Sequence, residues 1–204
     1  MIHIIDYGVG NIQAFMNMFK RLGVEAVRAR NTDDLLGATH LILPGVGSFD
    51  HAMHRFNCSG MRDTVEDLVL MRKVPVLGIC VGMQMLARSS DEGVLPGLNW
   101  IPGRVRSFSS NIASENLPMP HMGWNDLIIK SNNPIVKGFE FSSRLYFLHS
   151  YYFESDESTY VVASAQYGFD FDCIVVSNNI YGVQCHPEKS HKFGALLLKN
   201  FSEL

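Results

Sequence analysis

The chain has 204 residues, 47% of them apolar and 18% charged, which is a globular composition long enough to bury a sizeable core. A formal net charge of −3, with no Lys or Arg cluster forming a stripe, removes the electrostatic case for nucleic acid. The opening Met1-Ile2-His3-Ile4-Ile5-Asp6 lacks the basic and long apolar regions of a secretory signal, and no run reaches the length of a membrane span, so a cytoplasmic protein is expected.

Ile2 to Ile5 is a short apolar run ending in Asp6-Tyr7-Gly8-Val9-Gly10, after which Ile12, Phe15, Met16, Phe19 and Leu22 recur at helical spacing up to Gly23. Strands are predicted over Glu25 to Ala29 and Thr39 to Leu43, the latter ending at Pro44, with a short helix over Asp33 to Leu36 between them. Helices over Asp50 to Phe56 and Met61 to Arg72 lead into an apolar strand before Cys80. Strands alternating with helices predict an α/β fold, a flavodoxin-like, doubly wound and mostly parallel sheet with helices on both faces, and one domain over 1–204. The second half reads as strands over Leu98 to Phe108, Asn125 to Ile129, Arg144 to Phe153, Tyr160 to Gln166, Cys173 to Asn178 and Tyr181 to Cys185. Turn residues such as Ser177-Asn178-Asn179 make those strands antiparallel additions. Ser107 to Pro118 is polar and predicts a loop, and the stripe Phe193, Leu196, Leu197, Phe201 predicts a closing helix over Phe193 to Phe201.

The stretch with most chemical content is Val74-Pro75-Val76-Leu77-Gly78-Ile79-Cys80-Val81-Gly82-Met83-Gln84-Met85-Leu86-Ala87, which reads as strand, sharp turn, helix beginning near Met83. A cysteine in an apolar run is ordinarily core. Glycines two before and two after Cys80 favour the other reading, a nucleophile held at the apex of a strained elbow, with helix N–H groups favouring the thiolate. A nucleophile of this kind works with a base and a group that orients the base. Gly182-Val183-Gln184-Cys185-His186-Pro187-Glu188 supplies both, since the strand delivers His186 at its end, Pro187 stops the ladder and Glu188 lies two residues on. The bland alternative for His186 is a surface histidine beside a proline. Cys185, on the opposite face of the strand, is read as core.

Acyl transfer also needs oxyanion donors. The N–H of Val81, the residue after the nucleophile, is the expected first, and the loop Pro44-Gly45-Val46-Gly47-Ser48-Phe49 at a neighbouring strand end is placed to supply the second. An ordinary turn is the alternative for that loop. Other signals fail: Gln13 breaks the dinucleotide fingerprint begun by Gly8 and Gly10, and the eight histidines include no His-Glu-x-x-His pair and no cysteines at metal spacing, so neither cofactor nor metal is expected. His3, His40, His51, His54, His121 and His191 read as surface or core residues. The four cysteines Cys58, Cys80, Cys173 and Cys185 carry no pairing motif and read as reduced thiols.

Gly78-Ile79-Cys80-Val81-Gly82-Met83-Gln84 with the late His186-Pro187-Glu188 closely resembles the class I, triad-type glutamine amidotransferases. Within them, Asp6-Tyr7-Gly8-Val9-Gly10-Asn11, Pro44-Gly45-Val46-Gly47-Ser48-Phe49, Pro120-His121-Met122-Gly123-Trp124-Asn125 and His186-Pro187-Glu188-Lys189-Ser190 resemble the glutaminase subunits of imidazole glycerol phosphate synthases, from end to end. The resemblance implies that Cys80 attacks the glutamine carboxamide, His186 moves the proton, Glu188 orients His186, and a glutamyl thioester is hydrolysed. It further implies that Gly47, Gln84, Glu92, Ser150 and Tyr151 hold glutamine, with Glu92 opposite the α-ammonium. It implies a (β/α)8-barrel cyclase partner in a heterodimer, contacted by Asn11, Trp124 and Lys189, that receives ammonia and makes imidazole glycerol phosphate and aminoimidazole carboxamide ribonucleotide in histidine biosynthesis. The Val46 peptide would have to turn to present its N–H once the partner holds its ligand. Val81 stands where many relatives carry leucine, which leaves the backbone donor unaffected. Two alternatives share these motifs: a paralogous glutaminase supplying a sugar amidotransferase, and a non-catalytic regulatory subunit. A cysteine peptidase on the same fold is disfavoured by Gln84 and Lys189.

Overall fold

A computed structural model of the chain describes residues 1–111, 113, 116–140 and 143–204. The first half follows the alternating pattern. β1 (Ile2–Ile5), α1 (Ile12–Leu22), β2 (Ala26–Ala29), β3 (His40–Gly45), α2 (Phe49–Asn57), α3 (Arg62–Glu66), β4 (Val76–Cys80) and α4 (Val81–Met85) come in order. A 3-10 turn, Asp33–Leu35, stands where a short helix was expected. The antiparallel additions are β5 (Gly103–Ser107), β6 (His121–Asp126), β7 (Ile128–Ile129), β8 (Arg144–His149), β9 (Tyr151–Ser155), β10 (Val161–Tyr167) and β11 (Phe169–Ser177), followed by β12 (Ile180–Val183) and α5 (His191–Ser202).

The main sheet runs β2-β1-β3-β4-β12-β11-β10-β7, and its first five members are parallel. This is the 2-1-3-4-5 order of doubly wound sheets, in which ligands bind beyond the carboxyl ends of the strands. Every residue of β1, β4 and β12 is buried, so both faces of those strands are covered. α1 buries Ile12, Phe15 and Phe19 along one stripe and touches α5, while α2 packs with α4. Asn11 caps α1, its side-chain oxygen accepting from the Ala14 N–H at 3.2 Å, and Gly23 closes it in the left-handed region. β6 and β8 form a separate two-stranded sheet, and β5 joins the main sheet through β9.

Six expectations are corrected. The strand predicted from Leu98 begins only at Gly103. Before it, the N–H groups of Leu98, Asn99 and Trp100 donate to the carbonyls of Met85, Ala87 and Leu86 at 2.8–3.0 Å, so this apolar run caps the end of α4 instead of pairing in a sheet. Arg144 to Phe153 is two strands broken at Ser150, where the chain leaves β6 and joins β5 and β11. Asn125 to Ile129 likewise divides between the two sheets at Leu127, whose N–H donates to Ser143. The helix after Cys80 starts at Val81, directly behind the elbow, and not near Met83. β12 ends at Val183, after which Gln184 N–H bonds Cys173 and His186 N–H bonds Tyr146. Met61 to Arg72 is helical throughout its middle but changes at Asp67 to a π-type turn, Asp67–Met71. Of the loop expected over Ser107 to Pro118, residues 112, 114 and 115 lie outside the described residues, and the remainder opens on a 3-10 turn at Phe108–Ser110.

Candidate active site

β4 delivers Cys80 at the carboxyl edge of the parallel sheet, with φ 55° and ψ −113°, a left-handed conformation that costs a side-chain-bearing residue roughly 1–3 kcal/mol. Close packing holds the elbow there. A Cβ on Gly82 would sit 1.9 Å from the Leu43 carbonyl oxygen of β3, and one on Gly78 would sit 2.6 Å from the Gly82 oxygen. Only glycine lets α4 begin this close to its neighbouring strand. Cys80 is 4% exposed.

His186 follows β12, the strand beside β4, so the two side chains meet across the sheet edge. Its Nδ1 lies 2.9 Å from Glu188 Oε1, and both side chains are 6% exposed. Burial pulls the His186 pKa down, but hydrogen bonds to the Cys80 sulfur and the Glu188 carboxylate, with their charges, outweigh it and raise the value to about 10. Ser190 locks the backbone of this turn. Its hydroxyl donates to the His186 carbonyl at 2.7 Å and accepts from the Tyr146 N–H at 2.9 Å.

A cavity of about 320 Å³ opens on Cys80 and His186 and is lined also by Val46, Gly47, Val81, Gln84, Glu92, Ser150, Tyr151 and Lys189. Ten of the residues singled out in the sequence therefore meet around one space. Gly47 holds φ +83° with open room about it, and Val46 is 42% exposed. Tyr7 ties the start of that loop down, its hydroxyl donating to the Pro44 carbonyl at 2.5 Å, and burial together with the Cys80 charge raises its pKa. Glu92 Oε2 accepts from the Phe49 N–H at 2.8 Å. Burial raises the Glu92 pKa, the Phe49 bond lowers it and the Asp50 charge raises it. Gln84 is buried and donates to the Tyr151 carbonyl at 3.0 Å and to Gln184 Oε1 at 3.2 Å.

Asn11 and Trp124 lie outside the cavity. Trp124 is 46% exposed on β6, edge-on to Tyr146 at 5.9 Å and His191 at 5.1 Å. Lys189 stands 5.8 Å over the Tyr146 ring, joining this patch to the cavity rim, and α1, which Asn11 caps, touches the Pro187–Lys189 turn. Besides Leu148, which also lines the cavity, three site residues went unread in the sequence. Gln184, whose amide approaches Cys80 Sγ at 3.9 Å, shares a strand face with His186 by the period of two, and that signal was available. His149 and Pro120 line the cavity with no local mark of it.

Residues 3–203 match the family described as Glutamine amidotransferase class-I. The subunit HisH of imidazole glycerol phosphate synthase from Bdellovibrio bacteriovorus is 61% identical over the whole of both chains, and that of Leptospira borgpetersenii is 47% identical over the same span. Among solved structures, one described as a glutamine amidotransferase superposes with a TM-score of 0.75 at 21% identity, covering 99% of this chain and 97% of the other. PurLQS from Thermotoga maritima gives 0.74 at 18%, with the same coverage. These two likenesses speak to the fold alone. With the family match spanning nearly every residue and HisH relatives aligned from end to end, the chain belongs to the class I glutamine amidotransferases.

Proposed function

We propose that the chain is the glutaminase subunit of an imidazole glycerol phosphate synthase, hydrolysing L-glutamine through Cys80, His186 and Glu188 and passing ammonia to a (β/α)8-barrel cyclase. The observation that carries this is the meeting of the elbow cysteine, the Glu188-bound imidazole and the polar groups Gln84 and Glu92 around one cavity. Glutamine enters with its α-ammonium toward Glu92, and Gly47, Gln84, Ser150 and Tyr151 hold the rest of the substrate. The Cys80 thiolate forms a bond to the carboxamide carbon, and the electron pair of the C=O passes to the oxygen, which the N–H groups of Val81 and of the Val46–Gly47 loop stabilise. The C–N bond breaks as the His186 imidazolium gives its proton to the leaving nitrogen, releasing ammonia. Water then attacks the thioester, its proton passing to His186, and glutamate leaves as the thiolate re-forms. Before attack, the Cys80 sulfur and the Glu188 carboxylate favour the imidazolium against the opposing pull of burial, which places the proton needed for the first of these transfers, and Glu188 keeps the ring turned toward the sulfur.

The partner reading is supported by the HisH names of full-length relatives and by an outward apolar face on β6 and β8, where Met122 is paired with Leu148 and Trp124 with Tyr146. Lys189 stands at the edge of that face, over the Tyr146 ring. The test is the complex with the cyclase. Cys80→Ala abolishes glutamine-dependent synthesis while added ammonium still supports the partner's reaction. Glutamine-driven synthesis surviving in this variant would refute the nucleophile. Glutamate release unmoved by the histidine-pathway ribonucleotide would point to a sugar amidotransferase as acceptor.

A further inference from the structure

A run of hydrogen bonds, exposed at Asn125 and buried between the two histidines and from Gln84 through Gln184 to Cys80, joins the inner face of β6 to the nucleophile. The Asn125 amide nitrogen donates to the Gln166 carbonyl at 2.8 Å, which fixes it as the NH₂ end, and its second hydrogen reaches His121 Nε2 at 3.2 Å. His121 therefore accepts at Nε2 and carries its proton on Nδ1, which lies 3.0 Å from His149 Nε2. From the other end, His149 Nδ1 lies 2.8 Å from the Tyr151 carbonyl, a group that only accepts, so its proton too is on Nδ1 and its Nε2 is the acceptor. The two ends set the tautomers independently, and they agree. The Tyr151 carbonyl also receives Gln84, whose second N–H goes to Gln184, and Gln184 points its own amide at Cys80.

We propose that His121 and His149, both neutral and both protonated on Nδ1, are positioning residues for the substrate site, which they serve by pinning the Tyr151 carbonyl and through it the Gln84 side chain. The proposal rests on the glutaminase reading. A pair of satisfied core histidines with no further role is the competing view, and two observations weigh against it. His149 itself lines the cavity, and the carbonyl it holds belongs to a residue of the cavity wall. The pair is 4% and 6% exposed among aromatic rings, with His121 stacked at 4.2 Å on Tyr167 and both histidines edge-on or tilted to Phe171. Burial lowers the His121 pKa to about 4, and burial together with the neighbouring His121 lowers that of His149 to about 3. A proton added to His149 would go to Nε2 and set N–H against N–H across 3.0 Å, and one added to His121 would go to Nε2 and face the Asn125 NH₂ at 3.2 Å.

The pairing is read directly by ring-nitrogen NMR on the full chain labelled with ¹⁵N-histidine. At pH 7 both rings give the Nδ1–H tautomer, and an Nε2–H or charged ring at either position overturns the proposal. The consequence is read in the complex with the cyclase. His149→Phe keeps the ring and removes both nitrogens, whereas His149→Asn places an N–H donor where Nδ1 stood. Losing the bond that holds the carbonyl raises KM for glutamine about tenfold with kcat changed less than about threefold, and the Asn variant recovers most of the loss. Equal defects in the two variants, or a loss confined to kcat, refute the positioning role. Where His149→Phe fails to fold, the tautomers of the unsubstituted chain decide. Absence of glutamine turnover by the unsubstituted complex sinks the glutaminase reading instead, and leaves the tautomer result to stand or fall separately.

Discussion

Gly82→Ala probes the elbow where it is tightest. The new Cβ would sit 1.9 Å from the Leu43 oxygen and 3.0 Å from its carbon, both backbone atoms of β3 and neither able to rotate away. Reaching even 3.0 Å from the oxygen means opening the gap between β3 and α4 by roughly 1 Å, against packing so close that a Cβ on Gly45 would likewise sit 2.2 Å from the Gly82 nitrogen. Overpacking of this kind costs roughly 1–3 kcal/mol, which in a chain of this size lowers Tm by about 2–12 °C. The opening falls one residue after the Val81 N–H and two after Cys80. A misplacement near 1 Å at reacting groups costs on the order of 10²-fold in rate, so glutamate release by the complex falls by about that factor, well beyond what the stability loss explains. Gly37→Ala serves as the control. It meets nothing within 4 Å, and its positive φ lies at the other end of β3, so it loses stability without losing turnover. A Gly82→Ala variant with unchanged Tm and unchanged turnover would show that the strand-to-helix contact does not set the geometry of the site.

Glu188→Gln removes a charge that, with Cys80, raises the His186 pKa to about 10 against the opposing pull of burial. A raised folded value stabilises the fold in full below the unfolded value of 6.5 and loses that contribution as pH climbs through about 10. Urea titrations from pH 6 to 10.5 therefore show stability declining over that window in the parent and more weakly in the variant, and the alkaline limb of kcat/KM moves to lower pH. Trp124→Ala removes the exposed aromatic of the proposed docking face. Calorimetric titration with the cyclase shows affinity weakened by about 2 kcal/mol or more, while Tm of the isolated chain moves by less than about 2 °C.

The first half of the fold was legible because its inner strands β1 and β4 are buried on both faces and read as short apolar runs between helical stripes, a pattern complete within each segment. The second half was harder because its pairing is decided by partners far along the chain. Nothing in Arg144 to Phe153 announces that the strand changes sheets at Ser150, and the apolar run at Leu98 is strand-like until the open carbonyls at the end of α4 claim its N–H groups. The candidate site divides in the same way. Cys80 is marked by its own glycines and Glu188 by its distance from His186, all within a few residues. His149 finds its histidine 28 positions away across a strand pair, and no local spacing carries that information.

The alternation of β6 and β8 makes the two proposed roles of this small sheet separable by experiment. Successive side chains of β6 point to opposite faces, so Met122 and Trp124 look outward while His121 and Asn125 look in. Across the ladder the outward residues face Leu148 and Tyr146, and His121 faces His149 directly. β8 then passes through Ser150 into β9, which begins at Tyr151. A docking surface and a wall of the substrate cavity are thus built on the same two strands, one residue apart. If the roles are as proposed, an outward substitution such as Trp124→Ala shifts partner affinity at constant KM for glutamine, and an inward one such as His149→Phe shifts KM at constant partner affinity. Were both variants to move both quantities together, the sheet would be acting as a single rigid support, and neither face could be assigned a role of its own.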